Sequence, residues 1–131
     1  LIRKAPLETT QIDHKGEKIT LPTHPEILRI KGVLILKRNA TRDYLDFVAL
    51  ADHMEESEVG ASLAPFDTLY PQPNGESALQ QLQIQLSNPM PYDLEQNHLA
   101  EYKNLDPKWH HWETVKSACI DWAVTIFDQI V

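Results

Sequence analysis

Two cations and two carboxylates have the types and spacing to do chemistry together. Lys31 and Arg38 lie on one predicted helix, and Asp43 and Asp46 open the next, just behind Arg42. At about 100° per residue, Lys31 and Arg38 project from the middle of an apolar face formed by Ile27, Leu34 and Ile35. A cation there needs anionic company, because burying it alone is costly. One way to supply it is internal: Arg38 or Arg42 pairs with Asp43 or Asp46 and pins the corner between two helices. The other is a ligand: Lys31 and Arg38 face phosphate oxygens while Asp43 orients one of them or helps activate a hydroxyl.

The elements that must position these side chains can be read from periodicity and punctuation. Residues 1–22 have extended character around Gly16, with alternating polarity in Lys18-Ile19-Thr20-Leu21, and predict an edge hairpin. Two such short strands are not stable alone, so they are expected to join the helices or to continue a sheet supplied from upstream. Residues 23–131 predict a helical domain. Thr23-His24-Pro25-Glu26 has the form of a capping box, and the helix it starts is apolar nearly all round, hence central to the core. Asn39-Ala40-Thr41 breaks that helix, and a second runs from about Arg42 to Met54. So short a connector makes a tight pair and brings Asp43 toward Arg38. A short helix is expected within Val59 to Leu69, another over Glu76 to Leu86, and one carrying Leu94, Leu99 and Tyr102. Asp106-Pro107 should start a long last helix with the stripe Trp112, Val115, Cys119, Trp122, Ile126 and Ile130.

Other chemistries find little support. His110 and His111 sit beside Trp109 and Trp112, but neighbouring histidines on a helix diverge by about 100° and lack an i, i+4 partner of ligand type. The tryptophans read as core or interface anchors. His24 and His53 have no visible partner. Ser57, Ser62, Ser77, Ser87 and Ser117 have no nucleophile setting, and four glycines make no phosphate loop. Cys119, the single cysteine, reads as a small hydrophobe.

Composition sets the outer bounds. The chain has 131 residues, 42% hydrophobic and 24% charged, which suits one folded domain and argues against bulk disorder. No apolar run approaches the roughly 20 residues that cross a bilayer, so no membrane segment and a cytoplasmic placement are expected. Leu1 rather than Met at the start suggests a piece of a larger protein. The net charge of −7 hides an asymmetry: residues 1–42 hold nine Lys/Arg against four Asp/Glu, whereas residues 43–131 hold three against fifteen. A basic block of this kind suits an anionic ligand, or simply alternating solvated surfaces.

The stretch Pro25 to Lys31, followed by Lys37-Arg38-Asn39-Ala40-Thr41-Arg42-Asp43-Tyr44-Leu45-Asp46-Phe47, resembles the second block of the AbiEii-type nucleotidyltransferase toxins. The resemblance covers roughly residues 17 to 53. It implies that Lys31 and Asp43 are catalytic, that Lys31, Arg38 and Arg42 contact the nucleotide, and that Asp46 supports them. It further implies a mainly α fold forming the helical half of a polymerase-β-like nucleotidyltransferase, with Mg2+ and a nucleoside triphosphate bound by the full-length protein and RNA or an antitoxin as partner. This chain has no Asp-x-Asp and no Gly-Ser pair, the carboxylate block that holds the family's metal. The resemblance therefore implies a catalytic half that lies upstream of Leu1 or has been lost, and no transfer activity from these residues alone. The rival expectation is a non-enzymatic helical interaction module, using its acidic faces or its last helix, residues 107–131, to meet a protein partner or a second copy.

Overall fold

A computed structural model describes residues 1–96, 98–102 and 104–130, apart from the side chain of Ile130. Among the described residues an antiparallel hairpin, β1 (Thr9–His14) and β2 (Glu17–Pro22), precedes six α-helices: α1 (His24–Arg38), α2 (Thr41–Asp52), α3 (Glu56–Leu63), α4 (Phe66–Leu69), α5 (Ala78–Ser87) and α6 (Trp112–Ile130). The expected mainly α fold with a short N-terminal hairpin is what the chain adopts.

The hairpin turns through Lys15 and Gly16, both at positive φ (52° and 82°), the geometry that matches the twist of two strands joined by two residues. Its register pairs Thr10 with Leu21 and Ile12 with Ile19. Period-two alternation then puts Ile12, Ile19 and Leu21 on one face and Gln11, Asp13, Lys18 and Thr20 on the other. The ribbon is amphipathic, yet all three apolar side chains are exposed.

Thr23 caps α1 by accepting from the Glu26 backbone N–H at 3.2 Å, with Pro25 in the first turn as its sequence position predicts. The reciprocal half of the capping box is absent. The Thr23 N–H donates instead to the Glu8 carbonyl at 3.1 Å, because the Glu26 carboxylate is engaged elsewhere. Asn39 ends α1 in the left-handed region at φ 52°, and its N–H reaches the Ile35 carbonyl.

The core forms where α1 packs on α2, α3 and α5 while α6 closes across α2, α3 and α5. Leu28, Ile35, Phe47, Val48, Leu63, Phe66, Leu82, Leu86 and Val115 are fully buried in it. Gly32 gives α5 room to approach: a Cβ there would stand 3.0 Å from Leu82 Cδ2. The helix expected within Val59 to Leu69 becomes α3 and α4, divided at Pro65, which cannot donate and is the N-cap of α4. The helix expected around Leu94 to Tyr102 is two 3-10 turns, Leu94–Gln96 and Leu99–Glu101. Asp106 and Pro107 start a 3-10 turn, Pro107–His110, and α6 begins after it. On α6, Val115, Cys119, Ala123 and Ile126 are buried, Trp112 and Trp122 partly so, and the Ile130 side chain lies outside the described residues.

A buried charge cluster ties the segment before the hairpin to this core. Glu26 has no exposed surface, and Arg29 is 4% exposed. Arg3 lies 2.7 Å from Glu26 Oε1, Arg29 donates to Oε2 at 2.9 Å, and the Glu8 N–H donates to Oε2 at 3.2 Å. Arg29 also donates to the Ser62 carbonyl on α3 at 2.9 Å. Removing one member of a buried pair strands the other charge, a loss of about 3–5 kcal/mol. Glu26→Ala is therefore expected to lower the unfolding free energy by about that much in urea titrations. A loss within about 0.5 kcal/mol, typical of a surface change, would show that the cluster is hydrated instead.

Candidate functional site

The corner between α1 and α2 does gather all five residues singled out from the sequence. Arg38, in the last turn of α1, pairs with Asp43, in the first turn of α2. Asp43 is buried, and its second oxygen accepts from the Ala40 N–H at 3.1 Å, closing the start of α2. Lys31 reaches Asp46 at 3.4 Å, and Arg42 approaches the same carboxylate at 3.6 Å. The bond to Asp43 raises the Arg38 pKa above its ordinary value, with the Asp43 charge adding to it. Thr41 is held as well: its N–H and hydroxyl both donate to Asp93 at 2.8 Å.

This geometry differs from the expectation in one physical respect. Lys31 and Arg38 do not sit in the core. The buried side of α1 carries Leu28, Gly32, Val33 and Ile35, while the Lys31 side chain is 29% exposed and that of Arg38 is 55% exposed. The cation that α1 buries is Arg29, three residues after its partner Glu26. The sequence signal for that pair was available as a Glu-x-x-Arg spacing on an apolar helix. Residues 1–8, which complete the cluster, have no periodic pattern that would point to it.

Arg42 and Asp46 also border a cleft of about 410 Å3 with Leu45, Glu101, Tyr102, Asn104 and Leu105. The Arg42 guanidinium stacks over the Tyr102 ring at 5.8 Å. Every one of the five corner residues thus has an opposite charge within the fold. Among the described residues no group of three or more His, Cys, Asp or Glu side chains is arranged to hold a metal ion.

Beside the corner, Tyr44 accepts from Gln85 at 3.2 Å and meets Trp112 edge to face at 6.3 Å; burial raises its pKa. Burial also pushes the Cys119 thiol up from its ordinary 9.0 to about 12. His110 lines a cleft with Leu94, His98, Leu99 and Trp112, whereas His111 does not.

Against known proteins, no family profile and no solved structure matches this chain. Its curated relatives are transport proteins. It is 34% identical, over 97% of its length, to the probable transport protein MmpL11 of Mycobacterium bovis and to the heme uptake protein MmpL11 of Mycobacterium tuberculosis. It is 32% identical, over the same share, to the mycolic acid-containing lipids exporter MmpL11 of Mycolicibacterium smegmatis. The chain spans 13% of the length of each of these proteins.

These relatives correct the functional expectations. An alignment running through almost the whole chain, including residues 17 to 53, replaces the AbiEii resemblance, which rested on one helix corner. The nucleotidyltransferase function falls with it, as do the polymerase-β-like helical half, the toxin–antitoxin setting, Mg2+ and nucleoside triphosphate as cofactors, and nucleotide, RNA and antitoxin as partners. The exclusion of a membrane and the cytoplasmic placement are withdrawn too, since the relatives are named as transport and uptake proteins. No described helix is itself long and apolar enough to cross a membrane.

Two measurements check the local chemistry. Lys31→Met should change stability by no more than about 1 kcal/mol, because its ion pair is partly solvated. Asp43→Ala removes the closure of α2 and should cost about 0.5–2 kcal/mol from that alone, so thermal melts should rank it well below Lys31→Met. Cys119 should resist iodoacetamide at pH 8 in the folded protein and react once urea unfolds it. Since folding raises its pKa, its contribution to stability is complete below pH 9.0 and is lost as pH rises toward about 12. Rapid labelling of the native protein at pH 8 would show that the helix opens there.

Proposed function

We propose that this chain is a membrane-extrinsic helical domain of a transport protein of the MmpL11 kind, and that it acts by docking rather than by catalysis. The observation that carries the reading is identity of 34% over 97% of the chain with transport proteins of which it matches only 13%. A segment aligned from end to end with a small part of a longer protein is naturally one unit within it. The transported cargo would be heme, as in the name of one relative, or mycolic acid-containing lipid, as in another.

Two features of the fold favour docking. The charges at the α1–α2 corner satisfy one another and so brace the two helices, with Asp43 and Arg38 closing the turn and Asp46 serving both Lys31 and Arg42. The hairpin, in contrast, is unfinished. Ile12, Ile19 and Leu21 are 44%, 36% and 39% exposed on one face, and an isolated two-stranded ribbon is at best marginally stable. Residues 1–22 would thus complete a sheet with strands from elsewhere in the longer protein, while residues 23–131 form the attached helical body.

A chimera tests this. The matching segment of the Mycolicibacterium smegmatis exporter is replaced by this chain, and export of mycolic acid-containing lipids is measured in cells lacking their own copy. The chimera is expected to support export, and the double variant Ile12→Ser/Ile19→Ser to lose it at unchanged protein level. Full export by an exporter from which the segment has simply been deleted would sink the proposal.

A further inference from the structure

Two clefts lie along the face of α6 that meets the end of α2 and the 3-10 turn Pro107–His110. The first, about 450 Å3, is lined by Lys108 and Trp109 of the turn and by Glu113, Ser117, Ala118 and Asp121 of α6. The second, about 380 Å3, is lined by Asp52 and Glu56 on one side and by Ala118, Asp121, Trp122 and Thr125 of α6 on the other. Both clefts share Ala118 and Asp121, and Lys108 of the first donates to Asp52 of the second at 2.6 Å. They are therefore two lobes of one furrow.

The charges that line the furrow are four carboxylates against one ammonium. Lys108 is engaged by Asp52, which leaves Glu56, Glu113 and Asp121 without an ion pair among the described residues. Lys116, the one lysine of α6, lines neither lobe. A second, independent feature opens on the same furrow. Trp109 is 5% exposed, yet its indole N–H has no acceptor among the described residues. The nitrogen is not sealed inside the core, and the opening beside it is the first lobe. A buried indole normally finds an acceptor, so this donor is left for a partner from outside. Trp122, partly buried in the second lobe, likewise has none.

The furrow thus calls for cations and for hydrogen-bond acceptors together. A metal ion or a polyamine brings charge alone, whereas an anionic bilayer or a second copy offering the same acidic face is repelled. A polypeptide brings both, provided that it is extended, because a helix uses its carbonyls within its own backbone. We propose that the furrow along α6 binds an extended, lysine- or arginine-bearing segment of a partner protein, its cations facing Glu56, Glu113 and Asp121 and a backbone carbonyl accepting from Trp109. From Glu113 to Thr125 the helix rises about 18 Å, room for about five extended residues. The inference stands on the furrow and does not need the transporter reading.

The probe is a fluorescein-labelled eight-residue peptide of alternating lysine and serine, titrated with the whole chain and followed by anisotropy. A glutamate/serine peptide of the same pattern and spermine run in parallel. The lysine peptide is expected to bind at least about tenfold more tightly than the glutamate peptide and to weaken as salt shortens the electrostatic range. Glu113→Gln/Asp121→Asn, at two exposed positions, should weaken it about tenfold, and Asp128→Asn, outside the furrow, should not. At saturation the indole N–H resonance of Trp109, assigned through Trp109→Phe, should shift as it gains an acceptor. That of Trp112, which lines a different cleft, should stay in place. Equal binding of both peptides, unchanged affinity of the double variant, a Trp109 resonance unmoved by saturating peptide, or the same shift with spermine alone would each overturn the proposal.

Discussion

The buried carboxylate of Glu26 is the constraint around which the rest of the fold is arranged. A charge with no exposed surface is tolerated only if the protein replaces the water it has lost, and here Arg3, Arg29 and the Glu8 N–H do so together. Each of these partners comes from a different place in the chain. Arg29 carries the connection on to the Ser62 carbonyl of α3, and Arg3 carries it to the Tyr70 hydroxyl beyond α4. The Lys4 N–H adds a bond to the Leu69 carbonyl. A segment with no regular structure is thereby fastened across three helices, and the hairpin that follows it leaves the body in a defined direction.

The α1–α2 corner shows how ordinary helix physics can imitate a phosphate site. Cations collect in the last turn of one helix because they complement its negative end, as Lys37 and Arg38 do on α1. Acids collect in the first turn of the next, where Asp43 closes the backbone and meets the positive end of α2. Bend the chain between them over Asn39 and Ala40, and basic residues face acidic ones across a short gap. Lysine, then arginine, then Arg-Asp-x-x-Asp is what this arrangement writes into a sequence, with or without a ligand. Relatives aligned over 97% of the chain are transport proteins, which removes the nucleotidyltransferase reading of that pattern.

Two apolar surfaces remain uncovered, and they lie on different elements. The hairpin offers Ile12, Ile19 and Leu21 together with unpaired strand edges, which suits added strands. The α5–α6 groove offers Ile84, Val124 and Phe127 along a trough between helices. A free-standing domain would gain solubility by making both polar. Keeping them apolar is consistent with a unit whose neighbours supply the missing cover.

What the sequence determined by itself is the set of local features that a few adjacent residues control. The hairpin around Gly16, the cap at Thr23 and the break at Asn39 follow from side chains next to one another and appear where expected, whereas the last helix begins at Trp112, after the turn that Asp106 and Pro107 start, and buries Val115, Cys119 and Ile126 of its expected stripe. The same local logic brought Arg38 to Asp43, since only Asn39 to Arg42 separate them. Tertiary structure decided which charges are buried. On α1, Lys31 and Arg29 differ by two residues, and helical spacing cannot say which faces the core until α3, α5 and the first eight residues have packed around it. The burial of Glu26 depends on Arg3, 23 residues earlier, and on segments that carry no periodic signal of their own. Burial is a property of the assembled neighbours, so it becomes legible only when all of them are in place.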